Sequence, residues 1–219
     1  LSHQDLSQLT AAGEEIERAS FEFIDRMVQV SHLSQEEWEV ARRVIHTTGD
    51  FEFKDLLRFA THATSAGVAA IEAGAHIITD VTMIKAGLSP GRLNHFNLKV
   101  HTPLSDPAVL AAARELGTTR SRIAMHHAAQ QGLLDGSIIA IGNAPTALLS
   151  VCDLIKSGAV RPALVIGVPV GFIAAAESKE RLCQMTEVPF ISVSGYKGGS
   201  TIAVAILHAL MKIAGRRTP

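Results

Sequence analysis

The sequence predicts an α/β fold: one doubly wound domain with a mainly parallel sheet of about five strands, preceded by a helical N-terminal segment. Three observations predict it. From about residue 76 onward, short β-branched runs alternate with longer helical patterns, the rhythm of βα units. Three of those runs are continuously apolar, as strands covered on both faces are. No repeat, low-complexity tract or Pro/Gly linker divides the 219 residues, so 1–219 is read as a single domain.

Taken in order, the first third reads as helices. Ile16, Ala19, Phe23, Met27 and Val30 recur every three or four positions across residues 10–30 and mark one apolar helical face. "SQEE" at 34–37 is a capping-box signature, with Ser34 as the cap and Glu37 reaching back. The helix it opens runs toward Gly49, a residue that tolerates the left-handed geometry of a helix stop. "SAGVAAIEAG" (65–74) is a second apolar, alanine-rich stretch. The expected strands are "HIITD" (76–80), "SIIAIG" (137–142), "ALVIGVP" (163–169) and "PFISVSG" (189–195), with "HFNLKV" (95–100) a more polar edge candidate. Helical patterns lie between and after them in "DPAVLAAARELG", "TRSRIAMHHAAQQGL", "APTALLSVCDLIKSG" and "GGSTIAVAILHALMKIAG". Right-handed crossovers and ligands at the carboxyl ends of the strands follow as defaults. Those ends carry "IGNAPTA", "VPVGFIAAAESKE" and "VSGYKGGST".

Composition narrows the function classes. Apolar residues make up 47 % and charged residues 19 %, enough for a sizeable core. A formal charge of -1 removes the electrostatic case for a nucleic-acid partner. Cys152 and Cys183 are too few and too far apart for a disulfide framework or a CxxC site, and read as reduced thiols. "LSHQDLSQLT" has neither a basic n-region nor an apolar run, so a secretory signal is not expected. The first residue is not Met, which points to a few residues before it. No window is apolar for about 18 residues, so no membrane span is expected, and the location is read as cytoplasmic.

The common catalytic templates are missing: there is no GxxxxGK[ST], no GxSxG and no HExxH. "GYKGGS" falls short of GxGxxG and no strand follows to carry a ribose-binding acid, so nicotinamide binding is not expected. His126 and His127 are adjacent on a helix and point about 100° apart, which does not suit one metal. No metal site is expected. His46, in the last turn of the helix that Gly49 ends, lies on the side of Glu39, Arg42 and Arg43 rather than on the apolar face. Locally it reads as a plain last-turn histidine or as an acid whose proton the helix end retains.

Read together, the loops settle more. "IGNAPTALL" (141–149), "GVPVGFIAAAESKERL" (167–182) and "VPFISVSGYKGGSTIAVA" (188–205) closely resemble the precorrin-8X methylmutases. "RVIHTTGDFEF" (43–53), "GTTRSRIA" (117–124) and "IERASFEFI" (16–24) match further blocks of that family in the same order. The resemblance spans roughly residues 16–206. It implies a flavodoxin-like three-layer α/β/α fold and an isomerase of cobalamin biosynthesis that moves a methyl group from C-11 to C-12 of a corrinoid. It also implies no cofactor, and a homodimer with the ligand near the subunit interface. By position within the matched blocks, His46 is the catalytic histidine, and Ser20 and Arg120 contact the substrate. Thr47 stands where many relatives have alanine.

A methyl shift along a conjugated ring needs geometry and a proton or hydrogen bond at a pyrrolic nitrogen, which a histidine supplies. The acetate and propionate arms of such a substrate need cations or clustered N–H groups. Candidates are Arg120, Arg43, Lys179 and the Gly198-Gly199-Ser200 turn, with Asn143 in a neighbouring loop and Phe172 or Val170 against the ring. Each has a plainer reading. Lys179 reads equally as a solvated helix charge, Gly198 and Gly199 as close-packing residues, Ser20 as bonded to its own helix, and Asn143 as a turn former. Two rival functions stay open on sequence: a corrinoid carrier without chemistry, and an unrelated enzyme binding a phosphorylated ligand at the Gly198-Gly199 turn.

Overall fold

The computed structural model describes residues 10–28 and 32–217. Helix α1 (Ala11–Met27) is capped by Thr10, whose hydroxyl accepts the Gly13 N–H. Helix α2 (Gln35–Thr48) opens with the complete capping box. Ser34 N–H donates to the Glu37 carboxylate at 2.8 Å while Glu37 N–H donates to the Ser34 hydroxyl at 3.3 Å. Gly49 ends it at φ 67, a conformation that would strain any residue with a Cβ. A short α3 (Phe53–Leu56) leads into β1 (Leu57–Phe59), followed by α4 (Ala63–Glu72) and β2 (Ile77–Thr79). Next come α5 (Thr82–Gly87), α6 (Pro90–His95), β3 (Val100–His101), a 3-10 turn at Pro103–Ser105, α7 (Pro107–Glu115) and α8 (Arg120–Gln130). The remainder is β4 (Ile138–Ile141), α9 (Pro145–Lys156), β5 (Leu164–Gly167), α10 (Ala175–Cys183), β6 (Phe190–Val193) and α11 (Ser200–Arg217).

The sheet has six strands in the order β1-β6-β5-β4-β2-β3. All neighbours pair in parallel except β1, which runs antiparallel to β6. The parallel strands β3-β2-β4-β5-β6 follow a common doubly wound order whose direction reverses between β2 and β4. Side chains alternate between two cores. Ile77, Ile138, Leu164, Ile166 and Ile191 face α1, α2, α4, α5 and α11; Ile78, Ile139, Ile141, Val165 and Phe190 face α7 to α10. Burial on both faces is why these strands read as unbroken apolar runs. Among the described residues no helix is long and apolar enough to cross a membrane.

Several expectations are corrected. The sheet has a sixth strand: β1 is three residues with Arg58 at its centre, too short and too polar to show a period. "HFNLKV" is a strand only at its end, because α6 runs through His95 and Asn97 turns the chain at φ 53. The second half of "VPVGFIAAAESKE" is the start of α10 rather than loop. On α1 the apolar face read from the sequence is not the buried one. Phe21 and Ile24 enter the core, while Ile16, Phe23 and Met27 are 68 %, 49 % and 61 % exposed. Val30 and residues 1–9 lie outside the described residues.

At the point of reversal stands Asp80, fully buried directly after β2. Its Oδ1 accepts the Gly142 N–H at 3.1 Å, and its Oδ2 accepts those of Asn143 at 2.8 Å and Ala144 at 2.7 Å. Burial pushes this carboxyl above its ordinary pKa, against the three donors that hold it down. Gly142 also touches the start of α11: a Cβ there would lie 2.7 Å from Ser200 Cα. Replacing Asp80 by Asn would turn an amide nitrogen toward backbone donors, which cannot pair. We expect Asp80→Asn to lower the free energy of unfolding in urea by about 3 kcal/mol, whereas a loss below about 1 kcal/mol would show that the three N–H groups find other partners.

Candidate functional site

The carboxyl end of the sheet carries a chain of contacts that fixes the end of α2. Lys179 on α10 is only 1 % exposed, and its ammonium donates to the Lys197 carbonyl at 2.6 Å. Burial brings its pKa down to about 8. The Lys197 side chain then reaches across to Asp50 at 2.5 Å and Glu52 at 2.6 Å. Those two carboxylates follow Gly49, so the loop after β6 ties down the helix end that holds His46.

His46 faces a groove of about 530 Å³ between α1 and α2, and Ser20 lines the same groove. The walls are mainly apolar: Ile16, Phe23, Ile24, Ile45 and Phe51. Ser20 donates its hydroxyl proton to the Ile16 carbonyl at 2.8 Å, which leaves its oxygen to accept from a ligand. The His46 ring rests on Phe21, centroid to centroid 5.0 Å. The Arg42 and Arg43 guanidinium carbons lie 4.7 Å and 4.8 Å from the centre of that same Phe21 ring. Arg43 pairs with Glu17 and Arg42 with Asp25.

In this setting the His46 pKa is lowered. Desolvation by the groove walls comes first, then the Arg43 charge; Glu17 opposes them and Lys212 adds to them. The surroundings of His46 therefore oppose the expected retention of a proton by the helix end. A helix terminus supplies roughly half a charge, set here against desolvation first and the Arg43 and Lys212 charges after it.

The other candidates lie elsewhere. Arg120 is the first residue of α8, exposed and outside this groove; its neighbour Thr119 donates its hydroxyl to Thr146 of α9 at 3.0 Å. Asn143 is exposed beside the Asp80 bridge. Gly198 makes a close backbone approach, since a Cβ would meet the Val168 carbonyl oxygen at 2.4 Å. The Gly199 N–H donates to that same carbonyl at 2.8 Å, and so is not open to an anion. Ser200 is buried where α11 meets Gly142. Phe172 is 84 % exposed and pairs with Tyr196 at 5.8 Å, forming an apolar plate on the loops after β5 and β6. His127 is held by Asp106 at 3.1 Å, and among the described residues no group of three His, Cys, Asp or Glu is placed to hold a metal.

Sequence reasoning missed Asp80, Phe21, Glu17 and the Lys197 bridge. An acid directly after an apolar strand, as in "HIITD", was the signal for Asp80. The other three are long-range pairings without a local pattern.

The precorrin-8X methylmutase family model matches residues 15–213. The chain belongs to the precorrin-8X methylmutase family. A cobalt-precorrin-8 methylmutase of Leptospira interrogans is 43 % identical over 217 residues, covering 97 % of this chain and 99 % of that protein. A precorrin-8X methylmutase of Pseudomonas aeruginosa is 42 % identical, covering 90 % and 94 % respectively. The crystal structure of a Thermus thermophilus precorrin-8X methylmutase superposes with a TM-score of 0.88 at 47 % identity, over 94 % of this chain and 98 % of that one. In this family member the groove geometry makes a direct statement about protonation. An NMR titration of the ligand-free protein should place the His46 midpoint below the ordinary 6.5; a midpoint above it would show that the helix end dominates after all.

Proposed function

We propose that this chain moves a methyl group from C-11 to C-12 of precorrin-8X or cobalt-precorrin-8, giving hydrogenobyrinate or cobyrinate in cobalamin biosynthesis. The observation that carries this reading is His46 and Ser20 sharing one apolar groove in a chain of this family. An apolar slot suits the face of a conjugated macrocycle, and the imidazole stands at its wall. His46 donates a proton or a hydrogen bond to a pyrrolic nitrogen, drawing electron density from the ring as the methyl group migrates. The reaction is an isomerisation, so the proton returns to His46 and no cofactor enters the balance. Ser20 orients the ring. Arg120 serves a carboxylate arm that extends beyond the groove and Lys179 acts through the loop it anchors, while Arg43, largely buried and paired with Glu17, acts on His46 by its charge. Asn143 and the Gly198-Gly199-Ser200 turn lie away from the groove and carry no role in this reading.

The working unit in this reading is a cytoplasmic homodimer. Its support is the exposed Ile16, Phe23 and Met27 face of α1, which continues the groove wall and is the kind of apolar patch that a second copy covers.

Two experiments test the proposal. His46→Ala should reduce formation of the corrin chromophore from precorrin-8X by about 10²-fold or more while product binding stays within a few-fold. Near-normal turnover would remove His46 from the chemistry, and tight product binding without turnover in the unaltered protein would mark a corrinoid carrier instead. Phe23→Glu should shift the sedimentation coefficient from dimer to monomer; an unchanged coefficient would place the interface elsewhere.

A further inference from the structure

Phe21 carries three cations and a titratable ring. Besides Arg42, Arg43 and His46, the Lys212 ammonium of α11 lies 5.3 Å from its centroid. Two carboxylates serve these three cations. Asp25 pairs with Arg42 at 2.6 Å. Glu17 is left to divide itself: one oxygen meets Arg43 Nη1, and the other is 3.8 Å from Lys212, beyond hydrogen-bond reach. As a result Arg43 Nη2 is buried without a hydrogen-bond partner. A buried charged donor without an acceptor is costly, and the cluster is one negative charge short. Lys212, with 40 % of its side chain exposed, is the cation that solvent reaches most easily.

We infer that Lys212 is the docking point for one carboxylate arm of the substrate, and that its occupation frees Glu17 to close on Arg43 with both oxygens. The fork of a carboxylate matches the fork of a guanidinium, so the orphaned Nη2 gains its acceptor. The identity of the anion rests on the methylmutase reading above. The consequence reaches His46 through charge. The groups that act on it are Glu17 from α1, Arg43 from its own helix and Lys212 from α11. Desolvation, then the Arg43 charge and last that of Lys212, hold its proton off against Glu17; an added carboxylate compensates Lys212, and the tightened Glu17 pair compensates Arg43. The imidazole becomes a good acid once the substrate is seated.

The test uses the full chain with hydrogenobyrinate, a polycarboxylate corrinoid, and its fully methyl-esterified form. Binding is read from the corrin visible spectrum, and the His46 midpoint from NMR. Hydrogenobyrinate should raise the midpoint by about one unit or more, and the ester should not. Lys212→Gln should abolish that rise and weaken hydrogenobyrinate binding about tenfold, while Lys212→Arg retains both. Hydrogenobyrinate bound without a rise, a rise with the ester, or a full rise in Lys212→Gln overturns the inference and leaves the enzyme assignment standing. Failure of hydrogenobyrinate to bind the unaltered protein overturns the methylmutase reading itself.

Discussion

The Asp80 carboxylate spans the gap between β2 and β4, where the crossovers on either side of the sheet turn away from each other. In doubly wound proteins that gap is the usual ligand crevice. Here an internal anion gathers the N–H groups of Gly142, Asn143 and Ala144 beside it. The loop after β4 is thereby fixed, Gly142 is pressed against Ser200, and the start of α11 is set. Since α11 packs against both α2 and the sheet, the position of His46 depends at one remove on that buried acid.

The candidate groove lies on the flank of the sheet instead. The groove with His46 and Ser20 lies between two helices, and the His46 ring on its wall rests against Phe21, a phenylalanine surrounded by charge. An apolar slot beside a set of cations fits a molecule that is flat and conjugated in the middle and anionic at its edges. Desolvation, with the Arg43 and Lys212 charges behind it, makes the slot a poor place for a protonated imidazole.

How much of this was legible in the sequence depends on the range of the interaction. The capping box of α2 and its Gly49 stop are local, and they are formed as read. The apolar strands announce their two-sided burial in their own composition. β1 was illegible because it has three residues and exists only by pairing with β6, far along the chain. The face of α1 was misread because periodicity reports an apolar stripe without saying what covers it. Ser20 and His46 share a groove because α1 packs on α2, a fact of tertiary structure; only the matched blocks linked them beforehand. Glu17, Arg43 and Lys212 meet across three helices, and no spacing rule joins them.

The position of α11 in the chain has a consequence for synthesis. All six strands precede it, and it supplies much of the apolar surface on one side of the sheet. A nascent chain can close its α7–α10 side while the opposite side of the sheet still lacks its largest cover. Until those last turns emerge, Ile138, Leu164, Ile166 and Ile191 are incompletely shielded, a state that invites chaperones or misassembly. The same helix also brings Lys212 to Glu17, so the charge balance around His46 is set only once α11 has docked.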